Sequence, residues 1–306
     1  MNLSTFAIAL TRFSTLDESL RRVHLFFTLS LLICFQGCTL IQTTYNQAPE
    51  ITYWWLDGYV NINSKQKPGL IEDLAQIHRW HRTTQLPQYQ EILKQLDSKV
   101  QSDLTVDGIC TSIEPLIKTK ANDLIVAFEP TLTHLVLGMQ AEQLKTLQRK
   151  FDKNNKDWRR DWLGSANDRV AFRTKKDVEI AEWLYGRLSN SQHELLRELV
   201  LESPFEADKT YDERLRKQAD AVETLRQLIN ERSNFEEAQK TMHLLLMRST
   251  FDSPDLDFRE YFYRNLRSQC ARAVKFHNST NEKQRQHAFK VLQSLEQDFT
   301  ELQKKN

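Results

Sequence analysis

His78 and His81 stand three residues apart, with Glu72 and Asp73 less than two helical turns upstream. On a helix such a pair shares a face, and imidazole with carboxylate is a usual ligand set for a divalent metal. A metal site needs a further marked ligand, and no His-Glu-x-x-His or paired-cysteine spacing supplies one. A solvated or hydrogen-bonded histidine pair is the better reading, so neither metal nor cofactor is expected. Asp152, Asp157, Asp161 and Asp168 offer carboxylates for glycan hydrolysis, which needs two of them across one bond. They are interleaved with Lys153, Lys156, Arg159, Arg160 and Arg169, the pattern of a solvated, ion-paired helix. No Gly-x-Ser-x-Gly elbow, phosphate-binding glycine loop or dinucleotide fingerprint occurs among the seven scattered glycines. The chain reads as a non-enzyme.

One residue has a more specific chemical context. Arg21-Arg22 is followed by an apolar run from Leu25 to Phe35, then Gln36, Gly37 and Cys38. A basic segment, a short apolar segment and a small residue at the cut mark a secretory signal. The apolar run is too short to span a bilayer, which takes about 20 residues. Cysteine directly after Gly37 makes the stretch resemble a bacterial lipoprotein signal. The resemblance implies cleavage after Gly37 and acylation of Cys38 on its thiol and its new amino group. Phe35 and Gln36 depart from the small or aliphatic residues usual at their places, and twenty residues precede Arg21, a long leader. Thr39 is not the aspartate that tends to keep such proteins in the inner membrane. The expected location is therefore the periplasmic leaflet of the outer membrane, reached through the lipoprotein export machinery.

Of 42 basic and 41 acidic residues, Arg12, Arg21 and Arg22 against Asp17 and Glu18 precede Cys38, so the remainder is neutral. Phosphate binding needs a basic excess, and nucleic acid is excluded as a partner. A basic membrane-surface patch is excluded as well, leaving the lipid as the anchor. Few glycines and prolines, seven of each, favour long helices over many strands. Cys110 and Cys270 remain beyond the signal and the lipid site, in a compartment that permits disulfides. A bridge between them and a pair of buried thiols are both open.

After a polar stretch from Thr39 to Pro49 that reads as a tether comes Tyr53-Trp54-Trp55-Leu56-Asp57-Gly58-Tyr59. Tyr53, Trp54, Trp55, Asp57 and Tyr59 are the candidate docking or partner-binding residues. The segment could line a partner pocket, meet lipid headgroups, or plug a groove on the helical body, which the general burial of large aromatics favours. Asp57-Gly58 is expected to turn the chain. Tyr45-Asn46-Gln47-Ala48-Pro49, Tyr53 to Val60, and His78-Arg79-Trp80-His81-Arg82-Thr83-Thr84-Gln85-Leu86-Pro87-Gln88-Tyr89 together resemble a family of proteobacterial lipoproteins of unknown function. The resemblance is sharpest over residues 25–90 and implies location and extent but no activity.

Helical periodicity governs the rest. Leu70, Ile71, Leu74 and Ile77 share one face of a helix opened by Pro68 and broken at Leu86-Pro87. Tyr89 to Leu104 marks a second helix, ended by Asp107-Gly108, and Ile109 to Ile117 a third, with Pro115 against its continuity. Glu129-Pro130 reads as a helix end, with a short helix after Thr131. Leu144, Leu147, Phe151, Trp158 and Trp162 line a long helix, followed by helices over 170–188, 190–199, 208–232, 235–247, 256–276 and 281–302. No strand-like alternation of any length appears, so the fold is all-α. Residues 1–37 are the signal, 38–65 the lipidated tether with the aromatic segment, and 66–306 the helical domain.

Leu188-Ser189-Asn190-Ser191-Gln192 resembles the Leu-Thr-x-x-Gln signature of small helical periplasmic stress chaperones, with echoes at Gln140–Gln143 and Asn281–Gln284. Physically each is a helix-capping box, in which a short polar residue caps and a glutamine three residues on reaches back. The sequence therefore points to a lipid-anchored helical protein with a binding or envelope-maintenance role and a periplasmic protein as partner. A hydrolase of peptidoglycan or another envelope polymer is the alternative.

Overall fold

A computed structural model describes residues 37–231 and 233–304, with side chains from Ile41 onward. The arginine pair and the apolar run of the signal lie outside the described residues. Every described element is helical. Residues 1–46 and 47–306 form two compact units. Of the first unit, helix α1, Gly37–Asn46, is described. The polar stretch expected to be an irregular tether is thus helical as far as Asn46, and Pro49 lies in the first turn of the next helix, where its missing N–H costs nothing.

The second unit begins with α2, Ala48–Val60, and α3, Lys67–Trp80. Asp57-Gly58 lies inside α2 rather than in a turn. The turn comes at Asn61, in the left-handed region with φ 54°, where its N–H caps the Asp57 carbonyl. The Asp57 carboxylate accepts the Ile62 N–H at 2.7 Å, so the aspartate shapes the turn from the preceding helical turn. Leu86-Pro87 does not break the next helix either. A π-turn, His81–Gln85, passes α3 into α4, Leu86–Asp97, and again places proline in a first turn.

Helix α5 runs unbroken from Val106 to Leu137 through Pro115 and Pro130, against the expected ends. Asp107-Gly108 opens it, with the Thr105 hydroxyl accepting the Gly108 N–H at 3.1 Å. An interior proline costs about 3 kcal/mol. Burial of Ile125, Leu135 and Val136, at roughly 1.5–3 kcal/mol for each fully buried side chain, and a disulfide from Cys110 to Cys270 keep the helix continuous through both. The open question of those two cysteines is settled as a bridge, with a Cα separation of 5.7 Å.

The remaining helices follow the periodicity: α6 Ala141–Trp162, α7 Ala166–Tyr185, α8 Asn190–Leu201, α9 Ala207–Glu231, α10 Phe235–Thr250, α11 Leu256–Asn278 and α12 Glu282–Lys304. Two apolar cores result. One joins α2 and α3 to the ends of α5, α6, α9 and α10 through residues such as Tyr53, Leu74, Leu135, Leu147, Leu225 and Met242. The other joins α7, α8, α11 and α12 through Tyr185, Leu188, Leu199, Phe276 and Leu292. Leu215, expected to face inward on α9, is 39 % exposed.

Candidate functional site

The aromatic run lies on α2, whose 3.6-residue period separates its rings. Tyr53 turns inward and is 7 % exposed, while Trp54 and Trp55 turn outward at 65 % and 60 %. Tyr53 therefore does the plugging expected of the whole run, and the tryptophans do not. Lys67 from the start of α3 stands 4.9 Å over the Tyr53 ring and 5.9 Å from the Trp54 ring. Trp55 leans on Tyr59 at 4.7 Å between centroids, and Tyr59 is fixed from α6 by Asn154, whose amide donates to the phenol oxygen at 2.9 Å. Ile51, one turn before Trp54 and Trp55, is also exposed. The outcome is an exposed aromatic face whose rings rest on buried Tyr53 and on the half-buried Tyr59–Asn154 pair. Such a face can stack, or donate indole N–H groups, to a partner.

The other candidates are less convergent. Cys38 falls in α1, with no side chain described. Burial and neighbouring His78 hold the His81 imidazole below its usual range, and its ring contacts Trp80 and Tyr89. Among the described residues no three His, Cys, Asp or Glu side chains come together at metal-binding distance. Asp157 and Asp161 are both paired with Arg160 at 2.9 Å on the outside of α6, while Asp168 interacts with Ser165 at the start of α7.

The three capping boxes have a role beyond capping. Gln192 of the α8 box and Gln284 of the α12 box exchange amide hydrogen bonds at 2.9 and 2.8 Å. Gln192 also donates to the Ser279 carbonyl and Gln284 to the Arg187 carbonyl. A fourth turn of the same form, Asn63-Ser64-Lys65-Gln66, lies directly before α3, with the Asn63 and Gln66 side-chain oxygens each accepting the other's backbone N–H at 3.1 Å. It makes a one-way version of the arrangement in the other core: Gln143 of the α6 box donates to Gln66 Oε1 at 2.9 Å and to the Asn61 carbonyl at 3.1 Å, while the Gln66 amide donates to the Leu135 carbonyl at 3.3 Å. Each core is thus closed by two helix starts joined glutamine to glutamine. The residue before each box, Ile62, Met139, Leu188 and Thr280, is buried. A cavity opens beside each pair, about 470 Å³ at Gln66 and Gln140 and about 730 Å³ at Gln192 and Gln284. The signal that could have revealed the fourth box is the shared order of a buried residue, a short polar or amide residue and a glutamine three positions on.

A family of unknown function (DUF6279) matches residues 58–255, well over half of the chain. The chain belongs to the DUF6279 family. No curated protein and no solved structure matches it. The DUF6279 match begins at Gly58, so it takes in His78 to Tyr89 of the resemblance seen in the sequence and leaves Tyr45 to Asp57 outside. It contains the whole first glutamine pair and the α8 half of the second. Family membership adds extent and no activity. No described helix is long and apolar enough to cross a membrane.

Proposed function

We propose that this DUF6279 protein is a lipid-anchored binding module of the bacterial envelope, held by acylated Cys38 to the periplasmic leaflet of the outer membrane and engaging a periplasmic protein through the α2 aromatic face. The observation that carries the reading is the exposure of Trp54 and Trp55 on a helix whose neighbouring ring, Tyr53, is locked into the core. Large exposed aromatics on a firmly seated helix are characteristic of contact surfaces, where rigid rings bury area with little loss of side-chain freedom. The Cys110–Cys270 bridge supports an oxidising compartment, and the residues around Cys38 support the anchor. A chaperone-like role is one form of such binding, with which the all-helical fold and the proposed compartment agree. The hydrolase alternative has less support, since the acids of α6 are engaged with arginine on its outer surface.

Two substitutions test the parts separately. Cys38→Ser is expected to abolish metabolic labelling by a fatty acid and to release the protein from membranes; unchanged retention refutes the anchor. Trp54→Ser with Trp55→Ser is expected to leave folding intact and to remove the adducts formed by chemical crosslinking in intact cells. Adducts that survive the double substitution refute the contact face.

A further inference from the structure

Helices α7, α8 and α11 enclose a cavity of about 380 Å³, which shares no residue with the α2 face. Its walls are mostly apolar, with Trp162, Ile180, Leu184, Leu196, Phe205 and Phe276 among them. Four charged side chains line it: Arg173, Lys176 and Asp177 from α7, and Arg272 from α11. Arg272 is committed to the protein. Its guanidinium donates to the Leu199 carbonyl at 3.2 Å and stands 3.7 Å from the Asp177 carboxylate, with its side chain only 16 % exposed. Its Nε is buried without a hydrogen-bond partner.

Arg173 is different. Its guanidinium lies 4.7 Å from the Phe205 ring, and it forms no ion pair among the described residues. Lys176 at the rim is already taken by Glu179 at 2.9 Å. The cavity therefore holds two guanidinium groups against one carboxylate, half removed from water. Burial and proximity to Arg272 disfavour the charged form of Arg173, and burial acts in the same sense on Asp177. Asp177 favours the charge on both guanidinium groups but balances only one of them, and a half-buried excess cation carries a cost that a bound anion relieves. One positive charge is in surplus, so one negative charge balances it, while a dianion would be repelled by Asp177. A planar carboxylate also matches the guanidinium fork.

We infer that this cavity is a binding site for a small amphiphile with a carboxylate head and an apolar body, the head on Arg173 and the body along Ile180, Leu184 and Leu196. The volume lies at the low end of small-molecule sites, roughly 300–1,000 Å³, and suits a medium-length chain. The inference is independent of what the α2 face binds.

The test uses the full chain carrying Cys38→Ser, so that neither acyl group nor detergent competes. Titration calorimetry with decanoate below its micellar concentration is expected to give saturable one-to-one binding. Decylammonium, with the same chain and the opposite charge, is expected to bind at least roughly tenfold more weakly. Arg173→Gln, which removes no hydrogen bond of the protein, is expected to weaken decanoate by about tenfold or more, with a melting temperature no lower than that of the parent chain. Ile180→Glu, at a wall position 64 % exposed, is expected to weaken it as well by placing a like charge at the mouth. Absence of saturable binding, equal binding of decanoate and decylammonium, or full affinity in folded Arg173→Gln would each overturn the site.

Discussion

His277 shows how a side chain's protonation can be read from its partners. It is almost wholly buried, and its Nε2 faces the Ser102 carbonyl at 2.9 Å. A carbonyl only accepts, so Nε2 carries the proton and Nδ1 accepts from the Tyr185 hydroxyl, also at 2.9 Å. Burial holds the imidazole below its usual range and pushes the Tyr185 phenol up to about 12. The unfolded chain takes up a proton near pH 6.5 that the folded chain refuses, so stability is lost as pH falls below about 6.5. At the alkaline end the unfolded phenol ionises near pH 10 while the folded one stays protonated, so stability falls again between about 10 and 12. Urea unfolding across pH 5–7 is expected to show a shallower acid slope in His277→Gln than in the native chain; identical slopes would contradict this account. The glutamine pairs belong to the same scale. Gln192→Ala and Gln284→Ala are each expected to cost about 1–3 kcal/mol through the polar groups left unpaired. The double substitution should cost clearly less than the sum, since each removes the other's partner; strict additivity in a denaturation cycle would mean that the two amides are independent.

Among elements, α5 is the member whose continuity was least visible in the sequence. Pro115, Pro130 and Asp107-Gly108 all carry local signals for an end or a turn. What overrides two of them is distant: the seat on α10 and α11 and the bridge from Cys110 to Cys270. The same limit explains the glutamine boxes. Capping is local, so Ser189–Gln192 and Asn281–Gln284 were legible as helix starts, whereas the bond between Gln192 and Gln284 spans 92 residues and leaves no periodic trace. The faces of α6, α8 and α12 were legible because burial and a 3.6-residue period act within one helix. On α2 the period was there to read, but a preference for burying aromatics obscured it: Tyr53 is inside because Trp54 and Trp55 must then point elsewhere. The bridge gives this scale its own prediction. Closing a loop with a separation of 160 residues, it is expected to contribute about 2–5 kcal/mol. Cys110→Ala with Cys270→Ala should therefore lower the unfolding midpoint in urea, and added reductant should have no further effect on that variant. A midpoint unchanged by the double substitution would show that α5 is held by packing alone.

At the scale of the molecule, the two cores draw on separate sets of helices, and each is closed where two chain turns before helices meet through glutamine. Among the described residues the outward side of α2, with Ile51, Trp54 and Trp55, is exposed. Trp54 and Trp55 occupy it while Tyr53, Lys67 and Asn154 hold the face steady from behind. Trp54 follows Cys38 by sixteen residues in the chain. The central claim is that the face makes a specific protein contact, and site-specific photocrosslinking in intact cells tests it most directly. A photoreactive residue is placed at position 54, at 55, and for comparison at Leu244 on α10, itself 57 % exposed. A discrete heavier adduct from positions 54 and 55, absent from 244, is the predicted result. No adduct from either tryptophan position, or the same adducts from all three, would contradict it.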